Sequence, residues 1–210
     1  MNTYRLNSLA ALAVAALIGG CALAPYENPI EAINYSSDHV ALAVKGQYRS
    51  IAVLPFKNDS PYETADEFAR RTFVAQLTSH KSYDVQRTSH TDARLKDLTR
   101  AAIDQKNWQE LESAVNADML VFGHVLEEYH SWGLVYAKTR VRVRIDLIDA
   151  RTGALLWTSE DTRSRLTGGI DPFAMVLNTQ AEYMWTREIL NRYDELFRDM
   201  MQCLPDRTAK

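Results

Sequence analysis

The chain has 210 residues, with 24 basic and 27 acidic side chains and a net charge of −3 at pH 7. Because acids and bases are interspersed, the sequence excludes a polybasic surface of the kind that binds nucleic acid or anionic lipid. Hydrophobic residues make up 46% of the chain, which is enough for the core of one ordinary domain.

The first twenty residues have the pattern of an export signal. One positive charge, Arg5, precedes an apolar run from Leu9 to Ile18. This run is shorter than the roughly 20 residues that a membrane-spanning helix needs. We therefore interpret residues 1–20 as a signal peptide that is removed, and not as part of the fold.

The end of this leader, Leu17-Ile18-Gly19-Gly20-Cys21, resembles the lipobox of bacterial lipoproteins. The resemblance implies that Cys21 receives a diacylglycerol and becomes the mature N-terminus. Three acyl chains, at about 0.8 kcal/mol per buried methylene, would fix the chain to the membrane. Ala22, where an aspartate would retain the protein in the inner membrane of enteric bacteria, implies the periplasmic face of the outer membrane. The alternative is an ordinary signal peptide with an incidental cysteine.

Cys203 is the second of two cysteines. If Cys21 is acylated, Cys203 has no partner within the chain, although the compartment is oxidising. It is then a buried thiol, a loose thiol near the tail, or half of an intermolecular bridge.

The mature chain divides into three parts. Residues 21–47 contain Pro25 and Pro29 and no sustained periodicity, which predicts a lipidated tether followed by an irregular or short helical lead-in. Residues 48–203 form one predicted domain, and residues 204–210 a tail.

The first half of the domain alternates strands and helices. The run Ser50–Phe56 is apolar and β-branched and ends at Pro55 and the turn-forming Asn58-Asp59-Ser60, which predicts a central strand. A helix follows to about His80, with Ser60-Pro61 as its cap and first turn. The pattern further predicts a short strand at Tyr83–Val85, helices at 90–104 and 108–115, and a buried strand at Met119–Leu126.

The second half predicts an antiparallel hairpin and a long helix. From Arg140 to Ile148 apolar and polar residues alternate, so one face of this strand is core and the other is polar. Asp149–Gly153 is a turn with glycine where φ is positive, and Leu155–Ser159 is the returning strand. Asp171-Pro172 caps a helix of about 30 residues with one continuous apolar stripe.

Three of these segments resemble a known family. They are Ile51-Ala52-Val53-Leu54-Pro55-Phe56 with Asn58, the strand from Ala117 to Val125, and the hairpin from Val143 to Trp157. They are similar to the AVLPF.N, AD.LV.G.V and L.D..TG..LW segments of a family that groups CsgG-type and TolB N-terminal-type domains with uncharacterised lipoproteins. The resemblance covers about residues 48–160. It implies an α/β domain with a single mixed β-sheet, an antiparallel C-terminal hairpin, and helices that include a long C-terminal one.

The family implies a role in export or envelope machinery, since CsgG forms an oligomeric secretion channel for curli subunits. This chain is shorter than CsgG and closer to the lipoproteins that carry the fold and the anchor alone. We therefore predict a non-catalytic, membrane-anchored component of an envelope assembly or secretion system, working as a homo-oligomer. The alternatives are a monomeric adaptor for a periplasmic protein and an enzyme acting on envelope polymers.

The sequence gives no catalytic, metal or cofactor signature, so we predict neither an enzyme nor a cofactor. The five histidines are scattered, and HExxH, CxxC, nucleophile-elbow and phosphate-loop patterns are absent from the sequence. An enzyme would have to assemble its acid and base from distant residues such as Glu127, Glu128 and Asp146.

Two surfaces are candidate contact sites. The segment from Tyr129 to Tyr136, with Trp132, joins two strands and suits an interface with a partner subunit or lipid headgroups, or else covers the end of the sheet. The far end of the terminal helix carries Phe197, Met200 and Met201. We expect these three side chains to be exposed and to dock on a neighbouring subunit or on the 22–47 lead-in.

A row of arginines marks the polar face of the predicted hairpin. Arg140, Arg142 and Arg144 lie on one face of their strand. The returning strand offers charged partners, namely Glu160, Asp161, Arg163 and Arg165. Cross-strand ion pairs are the expected arrangement, and a groove for an anionic polymer is the alternative.

Overall fold

The computed structural model describes residues 33–36, 48–98, 103, 108–132, 136–168 and 181–207. Within these residues the protein is a mixed α/β fold, as predicted. The strands are β1 Ile33–Ser36, β2 Ser50–Val53, β3 Lys57–Asn58, β4 Asp84–Val85, β5 Met119–Trp132, β6 Tyr136–Asp149 and β7 Leu155–Gly168. The helices are α1 Ala65–His80, α2 Thr88–Leu95, α3 Trp108–Val115 and α4 Ala181–Cys203.

All described strands belong to one open sheet in the order β1-β7-β6-β5-β2-β4, with β3 paired to β5 beyond the end of β2. The strand β2 is parallel to both neighbours, β4 and β5, whereas β5, β6, β7 and β1 are antiparallel. The chain passes from β2 to β4 through α1 and from β4 to β5 through α2 and α3. These two crossings lie on opposite faces of the sheet, because α1 and the α2–α3 pair contribute to different hydrophobic clusters.

Helix α1 begins at Ala65, so the predicted start at Ser60-Pro61 is wrong. The side chain of Asn58 organises a loop there instead. Its Oδ1 accepts from the backbone N–H of Ser60 at 2.9 Å, and its Nδ2 donates to the carbonyl of Tyr62 at 2.7 Å. The residues that α1 buries recur every four positions, which places one face of the helix on the sheet: Ala65, Ala69, Phe73 and Leu77.

The two middle helices cover part of the opposite face. Helix α2 ends at Leu95, earlier than the predicted 90–104 helix, much of whose second half lies outside the described residues. Helix α3 spans the predicted residues. It ends at Val115 and is followed by Asn116, whose φ of 53° is left-handed and whose N–H donates to the carbonyl of Glu112 at 3.0 Å. Asparagine tolerates this conformation better than most residues, so it ends the helix there.

The three long strands extend well beyond their predicted ends, since each has 14 residues. The predicted strands ended where the apolar alternation ended. The outer half of the sheet carries polar side chains on both faces, so that alternation does not mark the strands there. A bulge between Val125 and Glu127 shifts the register of β5 against β6. The turn between β6 and β7 is as predicted, with Gly153 at φ 72°.

The far end of α4 is buried, so the expected exposure of its apolar residues is wrong. Phe197, Met200 and Met201 are 0%, 2% and 1% exposed. Helices α1 and α4 lie side by side on the same face of the sheet, and the ring of Phe197 meets that of Phe73 edge-on at 5.3 Å. Phe197, Met200 and Met201, which we expected to dock on a second subunit or on the lead-in, therefore belong to the core of their own chain. The predicted helix start at 171–180 lies outside the described residues.

Two segments predicted to be peripheral are part of the fold. The lead-in contains β1, which pairs with residues 157–160 of β7 and extends the sheet. The tail continues past α4 along β4, where Tyr83 donates to the carbonyl of Pro205 at 2.9 Å and the N–H of Ser82 donates to Asp206 at 3.0 Å. Among the described helices, none has both the length and the apolar character required to cross a bilayer.

Candidate functional site

One face of β5, β6 and β7 carries polar side chains that the described helices leave partly exposed. Helices α2 and α3 pack near β2 and over Leu120, Phe122 and Ile148. Beyond them the same face is charged and between 15% and 46% exposed. We call this surface the open face; its residues are His124, Glu127, Arg140, Arg142, Arg144 and Glu160.

The arginines of the open face form ion pairs, as predicted. Arg140 pairs with Glu127 of β5 at 3.3 Å, and Arg142 pairs with Glu160 of β7, so both pairs join neighbouring strands. Arg144 binds Asp146 on its own strand at 3.1 Å. Exposed pairs of this kind contribute about 0–1 kcal/mol each. They therefore define the charge of the surface more than they stabilise the fold.

The other charged residues of β7 face the opposite side, under α4. Asp161 and Arg163 are 3% and 8% exposed and are bonded to each other at 3.0 Å, and Arg163 also binds Asp199 of α4. Arg165 pairs with Glu188 of α4 at 3.5 Å. The prediction that Asp161, Arg163 and Arg165 pair with the arginines of β6 is wrong. Successive side chains of a strand point to opposite faces, so these three odd-numbered residues face α4, whereas Glu160 faces the open face.

Glu128 belongs to the same buried polar layer. Its Oε2 accepts from the hydroxyl of Tyr193 at 2.6 Å, and the carboxyl is buried between β5 and α4. Burial raises the pKa of the Glu128 carboxyl, although the hydrogen bond from Tyr193 opposes the shift. Burial also raises the pKa of Asp161, against the charge of Arg163. These bonds link α4 to the outer half of the sheet through polar rather than apolar contacts.

The three carboxylates named as candidate catalytic groups do not meet. Glu127 is on the open face and Glu128 on the buried one. Asp146 lies on the same side of the sheet as Glu127, but the residue of β6 opposite Glu127 is Arg142, four positions from Asp146. Four residues of strand span about 13 Å, whereas a catalytic carboxylate pair is about 5–9.5 Å apart. The enzyme hypothesis therefore has no assembled acid pair at these positions.

The histidines among the described residues do not converge either. Within the described ranges, no three His, Cys, Asp or Glu side chains are arranged to hold a metal ion. His124 is bonded to Asp59 at 2.6 Å. His130 stacks on the ring of Tyr62 at 4.4 Å and shares a hydrogen bond of 3.2 Å with its hydroxyl, and burial lowers the pKa of His130. His39 lies outside the described residues.

The usual ligand crevice of a parallel α/β sheet is filled by an arginine. The chain leaves β2 and β4 toward opposite faces, which is the point where such sheets bind ligands. Here Arg70 donates to the carbonyl of Val53 at 2.7 Å and makes two bonds, of 2.7 and 2.9 Å, to Asp92 of α2. This bidentate ion pair between Arg70 and Asp92 lies at the carboxyl end of β2 and fills the crevice with protein side chains. No local pattern indicated this pair, since Arg70 and Asp92 lie 22 positions apart.

Asp118, in the AD.LV segment, holds two strands together. Its Oδ2 accepts from the N–H groups of Arg49 and Ser50 at 2.8 and 2.9 Å and from the Ser50 hydroxyl at 3.1 Å. Burial alone would raise the pKa of Asp118, but these hydrogen bonds outweigh it and the pKa is lowered. The carboxylate therefore fixes the start of β2 beside the start of β5.

Asp149, in the L.D..TG segment, closes the β6–β7 hairpin. Its Oδ1 accepts from the N–H groups of Arg151 and Thr152 at 2.8 and 3.1 Å, and its Oδ2 accepts from the hydroxyl of Tyr48 at 2.5 Å. Burial and this bond raise the pKa of Tyr48 to about 12. Gly153 is required by its positive φ and because a Cβ there would lie 2.4 Å from the indole of Trp108. The L.D..TG segment therefore has a structural role, because it fixes the turn between β6 and β7.

A cleft opens where the helix-covered half of the sheet meets the open face. It has a volume of about 260 Å³. Both apolar and charged side chains line it; the described lining residues are Pro55, Lys57, Ile103, Phe122, Gly123, His124, Arg144 and Asp146. Sequence reasoning did not find this cleft, because its residues come from separate segments that only the strand register brings together.

The predicted aromatic contact segment is described only in part. Tyr129 is 42% exposed and stands on the same side of β5 as the open face. Trp132 and Tyr136 end β5 and begin β6, and the positions of their side chains lie outside the described residues. The segment therefore offers one exposed aromatic side chain beside the charged surface.

Comparison with known proteins places the chain in a family. A family with the description "Putative lipoprotein GNA1162-like" matches residues 38–176, about two thirds of the chain. The chain belongs to the GNA1162-like lipoprotein family. This confirms the lipoprotein family that the sequence segments predicted, whereas a specific link to CsgG stays a prediction. Among curated proteins, none matches the chain.

Among solved structures, PelC shares the fold of this GNA1162-like protein. PelC from Paraburkholderia phytofirmans, described as a dodecamer, is 18% identical with a TM-score of 0.56, covering 85% of this chain and 99% of that one. Lipoprotein GNA1162 from Neisseria meningitidis is 22% identical with a TM-score of 0.49, covering 68% of this chain and 99% of that one. At these identities the likeness extends to the fold alone.

Proposed function

We propose that this GNA1162-like protein is a lipid-anchored subunit of an envelope assembly or secretion system, that it is not an enzyme, and that it works as a homo-oligomer. Cys21 carries the lipid, and Ala22 directs the protein to the periplasmic face of the outer membrane. The observation that carries the proposal is the use of the family segments: Asp118 and Asp149 each accept hydrogen bonds that hold strands and turns together.

The surface supports a role in binding rather than in catalysis. The open face presents paired charges on rigid strands, and Tyr129 stands exposed beside it. Paired charges and exposed tyrosine are typical of protein contact surfaces. The similar fold of PelC, a dodecamer, supports a second copy of this chain as the partner. A monomeric adaptor for another periplasmic protein is the alternative.

Lipid attachment is tested by labelling cells with palmitate. We expect label in the wild-type protein and none in Cys21→Ser, which should leave the envelope membrane fraction. Cys203→Ser is the matched control and should keep both label and location. Label that persists in Cys21→Ser, or a wild-type protein without label, would overturn the anchor.

Oligomerisation is tested by measuring the mass of the full chain in neutral detergent across micromolar concentrations. A discrete multiple of the protomer mass supports the homo-oligomer, and a monomer throughout supports the adaptor. The enzyme alternative is tested by single Gln or Asn substitutions of Glu127, Glu128 and Asp146. Loss of the cellular phenotype with the fold intact would favour catalysis at that position.

A further inference from the structure

We infer that the outer end of the sheet lies against the surface of the membrane, with Tyr129, Lys138 and Leu166 in contact with lipid headgroups. The outer end is the end at which β5 and β7 finish and β6 begins. The inference rests on the proposed lipid at Cys21 and adds which part of the domain faces the bilayer. It leaves the ion pairs of the open face for the protein partner.

The direction of β1 is the first observation. Strand β1 is antiparallel to β7, and its first residue, Ile33, lies opposite Glu160. Because β7 runs toward Gly168 at the outer end, the N-terminal end of β1 points toward the outer end as well. The chain that carries Cys21 therefore enters the sheet from that side.

The edge of β7 has other partners just beyond this point. The N–H of Thr162 donates to the carboxylate of Asp161 at 2.7 Å, and the carbonyl of Thr162 accepts from the guanidinium of Arg163 at 3.3 Å. Backbone groups that are bonded to side chains of their own strand do not offer a template for a further strand. The pairing with β1 therefore begins at Ile33, and residues 21–32 remain to join the sheet to the bilayer.

The length of this connection places the outer end within reach of the membrane. Twelve residues span at most about 40 Å, at about 3.3–3.6 Å each. Leu166 is six residues along β7 from Glu160, which is about 20 Å, and β5 is two strands away from β7, which is about 10 Å. A lipid anchor on this connection can therefore hold both Leu166 and Tyr129 at the membrane surface.

The side chains at the outer end suit the boundary between water and lipid. On the side of the sheet that carries the open face, Tyr129 lies opposite Arg140, and Lys138 lies opposite Leu166. Tyr129 is 42% exposed, more than any other large hydrophobic side chain that the structure describes, and Lys138 and Leu166 are partly exposed. Tyrosine is enriched at the headgroup level of membranes, because its ring is apolar and its hydroxyl is polar.

The charge of Lys138 favours lipid over protein as the partner. Arg140 is paired with Glu127 at 3.3 Å, whereas Lys138 forms no ion pair within the described part of the chain. Lysine is depleted at protein interfaces, because burial of its ammonium group is costly. At a membrane its long stem can lie along apolar groups while its charge stays among the phosphates.

The test places a fluorescent probe at chosen positions of the full chain. Each variant carries Cys203→Ser and one new cysteine, from Leu166→Cys or Arg151→Cys, which is labelled with the environment-sensitive dye NBD; an acylated Cys21 does not react. Arg151 is the matched control, because it is exposed in the turn at the opposite end of the sheet. The labelled chains are added to vesicles of phosphatidylcholine and phosphatidylglycerol in equal parts, and quenching by a nitroxide on the lipid headgroup is measured.

The expected result is strong quenching at the outer end alone. The nitroxide should lower the fluorescence of the probe at 166 at least about twofold, and that of the probe at 151 by no more than about a tenth, since groups bound at the surface lie within about 5–10 Å of the headgroup boundary. In the Leu166→Cys chain, Tyr129→Ser should reduce the quenching, because one contact with lipid is lost. Arg142→Gln should leave it unchanged, since Arg142 is exposed on the same side of the sheet but nearer its centre.

Flotation of the vesicles separates this inference from the proposed anchor. A chain that does not float with the vesicles overturns the lipid anchor and the membrane contact together. A chain that floats, but is quenched equally at 166 and 151 or not at all at 166, overturns the membrane contact and leaves the anchor intact. Quenching at 166 that Tyr129→Ser leaves unchanged also overturns the contact.

Discussion

Replacing Phe197 with alanine distinguishes a core side chain from an interface side chain. Phe197 is fully buried within one chain, with its ring 5.3 Å from that of Phe73 and 6.1 Å from that of Tyr193. Truncating a buried phenylalanine costs about 3–5 kcal/mol, because both the transferred ring and the remaining cavity count. Domains have only about 5–15 kcal/mol of stability. We therefore expect Phe197→Ala to remove a large share of it.

The assay is unfolding of the full chain in neutral detergent, followed by circular dichroism. At about 2–4 °C per kcal/mol for a domain of this size, the midpoint of thermal unfolding should fall by about 6–20 °C. Gln202→Ala, at an exposed position of the same helix, is the control and should stay within about 0.5 kcal/mol of wild type. A Phe197→Ala protein that is as stable as the control but has lost its oligomer mass would refute the assignment of this side chain to the core.

Three further predictions follow from individual contacts. Gly123→Ala places a Cβ 2.3 Å from the ring of Phe56, so it should lower the free energy of unfolding in urea by about 1–3 kcal/mol, and Phe56→Leu in the same chain should recover part of the loss. The pKa values of Asp118 and Asp149 are lowered, so their contribution to stability is present above the ordinary aspartate pKa of about 3.9 and is lost as the pH falls through the lowered values. Asp118→Asn should therefore be less stable than wild type at neutral pH and lose less stability on acidification. If the stability of the variant and of wild type fell equally at low pH, the result would contradict this. The pKa of Glu128 is raised, so its contribution is present below the ordinary glutamate pKa and is lost as the pH rises through the raised value. Glu128→Gln should show a smaller loss of stability than wild type as the pH rises above the ordinary glutamate pKa, and an equal loss would show that Glu128 is not the group responsible.

The elements with a strong local pattern were predictable. The alternation around Val143 and the turn at Gly153 specified a strand and a hairpin, and α3 has the predicted span. The predicted secondary structure was wrong where a tertiary contact, and not the local sequence pattern, determines the conformation of the chain. The capping pattern at Ser60-Pro61 was displaced by the loop that Asn58 organises, and β1 forms only because the edge of β7 provides a partner.

The candidate site was less predictable than the fold. The sequence indicated a charged face from the spacing of Arg140, Arg142 and Arg144. Two of these arginines form cross-strand ion pairs, but only Arg142 does so with the returning strand, as predicted. It did not indicate the cleft. Lys57 lies 67 positions before His124 and Arg144 lies 20 positions after it, and their alignment depends on the parallel pairing of β3 and on the register of β5 against β6.

The sequence by itself determined the class of the protein and the places where the chain turns. The leader predicted to end before Cys21, the apolar alternation of strands, and residues such as Asp149 and Gly153 are all recognised from local chemistry, which the order of residues contains in full. The tertiary structure alone decided which face each charge occupies and whether the end of α4 is core or surface. Those outcomes depend on the register and the width of the sheet, and both are set by contacts between residues far apart in the chain.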